Sequence, residues 1–336
     1  MKKELLKYIL KRLLMLIPLI LLISIVVFIL IQLPPGDFLT TQIARMQMGG
    51  GIVNTDHIAV LRNRYGLDQP FINQYLLWMK GIILRGDLGW SFDYNRPVLE
   101  IIGQRIGVSI VTALISTILI WVIAVPVGIY SATHPNSFFD YFFSFFSFLG
   151  MAIPGFLLAL MAMWIAFTRF GVIFTGLFSE KFIGVDWSMA RVMDMLSHLW
   201  LPAIVISISG TASIIRVMRG TLQDELKKQY VTTATAKGLS RSAVLLKYPV
   251  RVAVNPLIST IGWLLPSIVS GEALVSVVLN IPSIGPLLTT GLQNQDMYLA
   301  GSILMILSVL TVIGSLISDI LLVLVDPRIR YQEVSK

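Results

Sequence analysis

A short basic segment and two isolated acids are the parts of this sequence whose residue types could do chemistry. The segment covers residues 229–244, is rich in alanine, threonine and glycine, and lies between two long apolar stretches. The acids, Glu272 and Asp319, lie inside apolar stretches. A charged side chain in such a setting is costly and commonly marks a transport pathway or a proton relay. A position near the membrane surface, or hydrogen bonds from neighbouring helices, would also account for both acids.

Other kinds of chemistry have little support in the sequence. The chain has no Gly-x-x-x-x-Gly-Lys-[Ser/Thr] nucleotide-binding loop and no Ser/His/Asp or metal-hydrolase pattern. It has no cysteine, which excludes disulfides, thiolate sites and cysteine-ligated metals. The three histidines, His57, His134 and His198, are scattered along the chain. We therefore expect no catalysis by this chain and no cofactor or metal bound to it.

The composition places the chain in the membrane. Of its residues, 56% are hydrophobic and 13% are charged, against roughly 25% charged in a soluble domain. The mean hydropathy is +0.81. A net charge of +8 could suggest a nucleic-acid partner, but the charges cluster at the ends of the apolar stretches, as membrane topology requires. We therefore expect the lipid bilayer, and no nucleic acid, as a partner.

The apolar stretches predict an all-α polytopic membrane protein, because a lone segment in lipid must satisfy its own backbone hydrogen bonds. The first stretch is too long for the core of a signal peptide and has no small-residue cleavage site after it, so we interpret it as a retained helix. Prolines inside the stretches predict kinks. The six predicted transmembrane helices cover residues 13–33, 108–130, 141–168, 200–218, 254–276 and 298–325, and the prolines are Pro18, Pro126, Pro154, Pro202, Pro256 and Pro266.

The distribution of basic residues predicts the orientation. Eight lysines and arginines, with two acids, lie between Arg216 and Arg251, and short loops rich in Lys/Arg stay in the cytoplasm. Both termini and the loop at 219–253 are therefore predicted to be cytoplasmic, with 169–197 outside. The predicted domains are a cytoplasmic N-terminus with the first helix (1–33), an extracytoplasmic cap (34–105), a five-helix core (106–326) and a cytoplasmic tail (327–336).

The basic segment itself predicts a helical pair. A short helix runs from Tyr230 to Ala236, Gly238 ends it in the left-handed conformation, and Ser240 caps a second helix. Small side chains permit close approach of a partner, and Lys237 and Arg241 offer charges to an acidic rim. An amphipathic helix lying on anionic lipid headgroups is the alternative. Protein docking is favoured because large apolar residues are scarce before position 244.

The residues Tyr-Val-x-x-Ala-x-Ala-Lys-Gly-Leu-Ser resemble the coupling loop of binding-protein-dependent ABC importer permeases of the oligopeptide/dipeptide/nickel group. The resemblance covers nearly the whole chain and points to the B-type subunit. Further similar stretches lie at residues 8–14, 32–37, 65–70, 86–91 and 326–330. By this resemblance, the residues that contact the ATPase are Tyr230, Ala234, Ala236, Lys237, Gly238, Leu239, Ser240 and Arg241.

Two departures from the family pattern affect individual residues. The broader coupling-loop pattern begins with Glu-Ala-Ala, whereas this chain has Thr232, Thr233 and Ala234, which removes an acid that could bond the partner. A family acid near the outer end of the fifth helix is also absent, since Ser276 occupies its aligned position. Glu272, one turn earlier, takes that role in our prediction. The predicted substrate-pathway residues are Glu272, Ser276 and Asp319.

The resemblance implies a heterodimer with a C-type permease, which together form one pathway. Two cytoplasmic ATPase subunits would bind ATP and Mg²⁺, and an extracytoplasmic solute-binding protein would deliver the substrate. The cap would meet the binding protein or plug the outer mouth, with Asp87 and Trp90 as candidate contacts. The implied location is the cytoplasmic membrane of a bacterium or archaeon.

The substrate class stays open among short peptides, oligosaccharides and nickel chelates, and nickel is least expected because histidine is scarce and cysteine absent. Two other protein classes also remain. One is an ion-coupled secondary transporter that uses Glu272 and Asp319. The other is a membrane scaffold or sensor without transport. The coupling-loop pattern favours the importer over both.

Overall fold

The computed structural model describes residues 2–32, 69–91, 93–171 and 175–325, and within these ranges the side chains of residues 2–9, 11, 31 and 262–272 lie outside the description. The described residues are mostly helical. In chain order the elements are α1 (Lys2–Gln32), α2 (Phe71–Arg85), β1 (Trp90–Ser91), β2 (Arg96–Pro97), α3 (Val98–Thr133), α4 (Phe138–Ala152), α5 (Gly155–Phe170), a 3₁₀ turn (Glu180–Phe182), α6 (Met189–Leu226), α7 (Gln229–Ala236), α8 (Arg241–Lys247), α9 (Pro249–Ala253), α10 (Asn255–Val278), α11 (Ile284–Gln293) and α12 (Met297–Val325).

Several described helices are long and apolar enough to cross a membrane. Four pass on length and composition: residues Arg12–Leu30 of α1, and the whole of α3, α6 and α12. The pair α4 and α5 makes a fifth if it counts as one span. The chain is therefore a polytopic membrane protein, as predicted. The fifth predicted span, 254–276, corresponds to α10, a helix of 24 residues in which many side chains lie outside the description.

The third predicted span, residues 141–168, is two helices rather than one, because α4 and α5 meet at a bend of 102°. Pro154 causes the break. The residue before a proline is disfavoured in the helical region, and Ile153 is extended, with φ −91° and ψ 123°. The kink predicted there is confirmed, whereas Pro126 and Pro202 lie inside the helices α3 and α6.

Other boundaries also differ from the sequence-based ones. Helix α3 begins at Val98, ten residues before the predicted start of the second span, and α6 begins at Met189, well before residue 200. The first turns of both helices contain polar residues, so a prediction based on hydropathy placed the start of each helix too late. The structure also contains one antiparallel strand pair, with Trp90 opposite Pro97, so the all-α prediction holds for the spanning helices but not for this hairpin.

The chain divides into two compact units. The larger unit consists of Met1–Leu13, Val108–Pro282 and Leu310–Lys336, and the smaller unit of Leu14–Gly107 and Ser283–Val309. The smaller unit thus combines residues of the predicted cap with a second stretch, 283–309, that lies far away in sequence.

In the smaller unit, the hairpin is attached to the start of α12. The carboxylate of Asp296 accepts a hydrogen bond of 2.5 Å from the Ser91 hydroxyl, and the Ser302 hydroxyl donates to the Leu88 carbonyl at 2.8 Å. Gly89 has φ +102°, and a Cβ atom there would lie 2.6 Å from the Tyr298 ring. Only glycine meets both demands, conformation and space.

The core of the larger unit is built on α6, which packs against α3, α4 and α9. Buried aliphatic residues of α3 and α6 form its centre, among them Ile120, Ile214 and Met218. The backbones of α4 and α6 approach closely at Gly150, where a Cβ atom would lie 2.7 Å from the Ile208 side chain. Close approach through small residues is a common way for helices to associate in lipid, where the hydrophobic effect supplies no attraction.

One ion pair joins α4 to α6. The Arg219 guanidinium donates through Nε and Nη2 to the two carboxylate oxygens of Asp140, at 2.8 and 2.9 Å. Asp140 is 1% exposed and also accepts the Asn136 backbone N–H, while its own N–H bonds to the N-cap residue Ser137. An acid in the first turn of a helix is additionally favoured by the helix dipole.

We predict that this pair is strongly coupled. Arg219→Gln should lower the free energy of unfolding by about 2 kcal/mol, because it leaves the buried Asp140 carboxylate without its partner. Asp140→Asn should lower it less, because the Arg219 side chain is 33% exposed. The loss of unfolding free energy in the double variant should be smaller than the sum of the two single losses by about 1 kcal/mol or more. Thermal unfolding of the purified protein in detergent measures all three variants.

The matched control is the exposed pair Arg96–Glu100, whose side chains are 60% and 50% exposed. Glu100→Gln should change stability by less than about 1 kcal/mol. Simple additivity of the Asp140 and Arg219 substitutions would show that the pair does not hold the two helices together.

Candidate functional site

The basic segment folds as a helical pair at the end of the longest described helix. Helix α6 runs for 38 residues to Leu226, and α7 follows after a break of two residues. The turn after α7 leads into α8, where the Ser240 hydroxyl accepts the Ala243 N–H at 3.4 Å. The predicted helix, glycine turn and capped second helix are confirmed.

Gly238 has the predicted left-handed conformation, with φ +78°. Its N–H donates to the Thr235 carbonyl at 3.0 Å, which ends α7. A Cβ atom at Gly238 would meet nothing within 4 Å. The requirement for glycine is therefore conformational rather than steric, and an L-residue there costs about 1 kcal/mol or more.

The helical pair presents a nearly continuous exposed surface. The side chains of residues 232–243 are all exposed except that of Ala234. This surface includes Leu239, an apolar side chain 39% exposed. The other predicted contact residues on it are Ala236, Lys237, Gly238, Ser240 and Arg241. We call residues 229–244 the coupling segment.

Two predicted contact residues have roles within the chain itself. Ala234 is 5% exposed, so its side chain faces inward, and the prediction that it governs the approach of a partner by direct contact needs revision. The Tyr230 hydroxyl donates to the Glu225 carboxylate at 2.5 Å. Tyr230 therefore links α7 back to the last turn of α6.

Helix α9, which follows the coupling segment, is also joined to the spanning helices. Helix α9 packs on α6, where Ala253 is buried in one cluster with Leu222. The Thr221 hydroxyl donates to the Ala253 carbonyl at 3.2 Å, and Arg251 Nε donates to the Val325 carbonyl at the end of α12, also at 3.2 Å. A displacement of the coupling segment would thus be transmitted to α6 and α12.

The predicted pathway residues fall in different settings. Asp319 accepts a hydrogen bond of 2.6 Å from Arg12 Nε, and the two side chains are 18% and 38% exposed. Its partner is thus a residue of the basic N-terminal stretch. Ser276 is buried at 0% exposure. The side chain of Glu272 lies outside the described residues.

Asp87 and Trp90, the predicted outer contacts, belong to the turn and hairpin of the smaller unit. The Asp87 carboxylate accepts the Gly89 N–H at 2.9 Å within its own turn, and Trp90 is half-buried in β1. Burial raises the pKa of the nearby Asp296 carboxyl, against the opposing effect of its hydrogen bonds from Ser91 and backbone N–H groups. These contacts stabilise the loop. A contact with a binding protein stays a prediction.

The pair Asp140–Arg219 was missed by the sequence analysis. The predicted third span began one residue after Asp140, and Arg219 was counted among the basic residues of a cytoplasmic loop. The spacing Ser137 to Asp140, an N-cap residue followed by an acid three positions on, was the available signal. Among the described residues, no group of three or more histidine or acidic side chains is placed to hold a metal ion.

Comparison with known proteins extends along the whole chain. Residues 124–331 match the family described as "Binding-protein-dependent transport system inner membrane component", and residues 5–114 match the corresponding N-terminal family. The oligopeptide transport system permease protein AppB of Bacillus subtilis is 34% identical over 96% of this chain and 99% of its own. The corresponding protein OppB of Haemophilus influenzae is 31% identical over 97% and 100%.

A third relative, the dipeptide transport system permease protein DppB of Lactococcus lactis, is 29% identical over 96% of this chain and 99% of its own length. The chain belongs to the family of inner-membrane components of binding-protein-dependent transport systems.

Proposed function

We propose that this chain is one of two permease subunits that together form the pathway of an ABC importer for short peptides. A related C-type permease supplies the other half. Six spans cross the membrane, with both termini in the cytoplasm. ATP and Mg²⁺ bind to partner ATPase subunits, and a solute-binding protein delivers the substrate on the outer side.

The exposed coupling segment carries this proposal. It follows the end of α6, has most of its side chains exposed, and is basic in its exposed part. Tyr230 of α7 bonds to Glu225 of α6, and α9, which follows the coupling segment, bonds to α6 through Ala253 and to α12 through Arg251. A conformational change in an ATP-driven partner could therefore displace this segment. The displacement would move the pathway helices as a rigid body.

The peptide assignment comes from relatives. The proteins from Bacillus subtilis, Haemophilus influenzae and Lactococcus lactis are named for oligopeptide or dipeptide transport. Oligosaccharides and nickel chelates are the alternatives. Calorimetric titration of the cognate binding protein against peptide, glycan and nickel-chelate panels tests the assignment, and exclusive binding of a glycan or a nickel chelate would contradict it.

A proton-coupled mechanism has less support. Asp319 was one of two acids that could have carried it, and this carboxylate is paired with Arg12. The pairing of Asp319 with Arg12 therefore favours a structural role for this carboxylate over a role in the transport pathway.

The first prediction isolates the backbone conformation at Gly238. Gly238→Ala should weaken retention of the ATPase subunits about fivefold, because the β-carbon costs about 1 kcal/mol in the left-handed region. Gly238→Val should weaken it further, because a β-branched residue is still less tolerated there. Co-purification of the ATPase subunits with each variant measures the effect.

Gly220→Ala is the matched control, since a Cβ atom there also meets nothing within 4 Å and Gly220 lies inside helix α6. It should leave ATPase retention unchanged. Full retention by both Gly238 variants would show that the turn between the helices does not position the contact.

The second prediction separates the two faces of α7. Ala236→Trp adds a bulky side chain to the exposed face, so it should abolish ATPase retention while the chain keeps its thermal stability. Ala234→Trp places the same side chain at a buried position, so it should lower thermal stability by several degrees. Both variants are compared by co-purification and by thermal unfolding. Normal ATPase retention and uptake in Ala236→Trp would rule out this face as the docking surface.

The third prediction concerns orientation, and it uses the absence of native cysteine. A cysteine introduced at Lys228, which is exposed, should be labelled by a membrane-impermeant thiol reagent only after the membrane is opened. A cysteine at Asp93, also exposed, should be labelled from outside in intact cells. The reverse pattern would invert the topology and contradict the transport scheme.

A further inference from the structure

A cavity of about 100 Å³ lies between α4 and α6 in the larger unit. Each helix contributes one face, with residues at helical spacing of three and four positions. The lining residues are Ser144, Ser147, Phe148, Met151, Ala212, Ile215, Arg216 and Arg219.

The cavity exists because the two helices are held together on either side of it. At one end, Arg219 makes the bidentate pair with Asp140. At the other end, the helices touch at Gly150, whose carbonyl also accepts the Ser209 hydroxyl at 3.1 Å. Between these points the facing side chains include serine and alanine, which are too short to fill the space.

The polar groups of the cavity are incompletely satisfied. Arg219 is neutralised by Asp140, but Arg216, one turn away on the same helix, is exposed and makes no hydrogen bond or ion pair within the described part of the chain. The Ser147 side chain is 9% exposed, and its hydroxyl has no partner among the described residues. A buried hydroxyl without a partner is unusual in a folded protein and requires an explanation.

The remaining wall is apolar and open to the surroundings. Phe148 and Met151 are 61% and 42% exposed. The site thus combines one uncompensated cation, an unpartnered hydroxyl donor and an apolar surface. This combination matches a phosphate attached to a hydrocarbon chain.

The depth of the site agrees with a lipid ligand. Arg216 lies ten residues before the end of α6 at Leu226, and Asp140 lies in the first turn of α4. In the orientation of the proposed function, on which this step rests, both positions are at the cytoplasmic leaflet. Basic pockets between spanning helices on that side are suited to anionic headgroups.

We propose that the cavity between α4 and α6 binds an anionic phospholipid of the inner leaflet. Arg216 pairs with the phosphate, and the hydroxyls of Ser144 and Ser147 donate hydrogen bonds to its oxygens. An acyl chain lies over Phe148 and Met151. The bound lipid fills the space between α4 and α6 and leaves the Asp140–Arg219 pair intact.

Native mass spectrometry of the intact importer tests this proposal. The complex, with its partner subunits, is titrated with phosphatidylglycerol or with phosphatidylcholine of the same acyl chains. The wild-type complex should retain one more molecule of phosphatidylglycerol than the Arg216→Gln complex. Its affinity for this lipid should be about fivefold higher, because one basic residue at an anionic headgroup contributes that much. Ser147→Leu should also lose this lipid, because its side chain fills the cavity.

Arg169→Gln is the matched control, because Arg169 is exposed in the last turn of α5 and is not among the cavity residues. It should retain the lipid as the wild type does. Equal retention by the wild type, Arg216→Gln and Ser147→Leu would overturn the proposal, as would equal retention of the two lipids.

Two competition experiments distinguish other ligands. Soluble glycerol phosphate should not displace the lipid, and displacement at concentrations comparable to those of the lipid would indicate a site for free anions. A transported peptide should not displace it either, and displacement would assign the cavity to the substrate pathway.

Cysteine labelling at Lys228 and ATP-dependent uptake report separately on orientation and transport, so failure of the proposed function is distinguishable from failure of this site.

Discussion

The structure of the larger unit depends on the requirement that a helix in lipid satisfy its own backbone hydrogen bonds. Helix α6 is 38 residues long, about 57 Å, and its backbone hydrogen bonds are internal except where Pro202 has no N–H to donate. The helices α3, α4 and α9 pack on it, and the coupling segment begins after a break of two residues at its end. A force applied at Tyr230 reaches α6 through the hydrogen bond to Glu225, and a force applied at Thr221 acts on α6 itself.

The ion pair Asp140–Arg219 fixes a second helix to this element. A bidentate arginine–carboxylate pair resists rotation as well as separation, so α4 is expected to follow movements of α6. On the far side of Pro154, α5 departs at 102°. The two helices pinned by the ion pair also enclose the cavity to which we assign a lipid. The ion pair that holds α4 to α6 therefore also sets the width of the proposed lipid site.

Local patterns in the sequence predicted the coupling segment well. Gly238 and Ser240 carry strong conformational preferences of their own, and the observed φ and cap follow from them. The pattern could not show that Ala234 faces inward, because exposure depends on which side of a short helix meets its neighbours. Similarly, Asp319 was recognisable as an acid in an apolar helix, but its partner Arg12 is 307 positions away. Pairings between distant segments, including Asp140 with Arg219, require the tertiary structure.

The central claim is that the coupling segment meets the ATPase, and crosslinking tests it most directly. A single cysteine replaces Lys237, an exposed residue in the turn, and the assembled importer is treated with a short thiol-to-amine crosslinker. The account predicts a covalent adduct between this chain and an ATPase subunit, and no such adduct from a cysteine at Asp93. An importer that is active in ATP-driven uptake, yet forms no adduct from position 237 or forms it equally from position 93, would contradict the account.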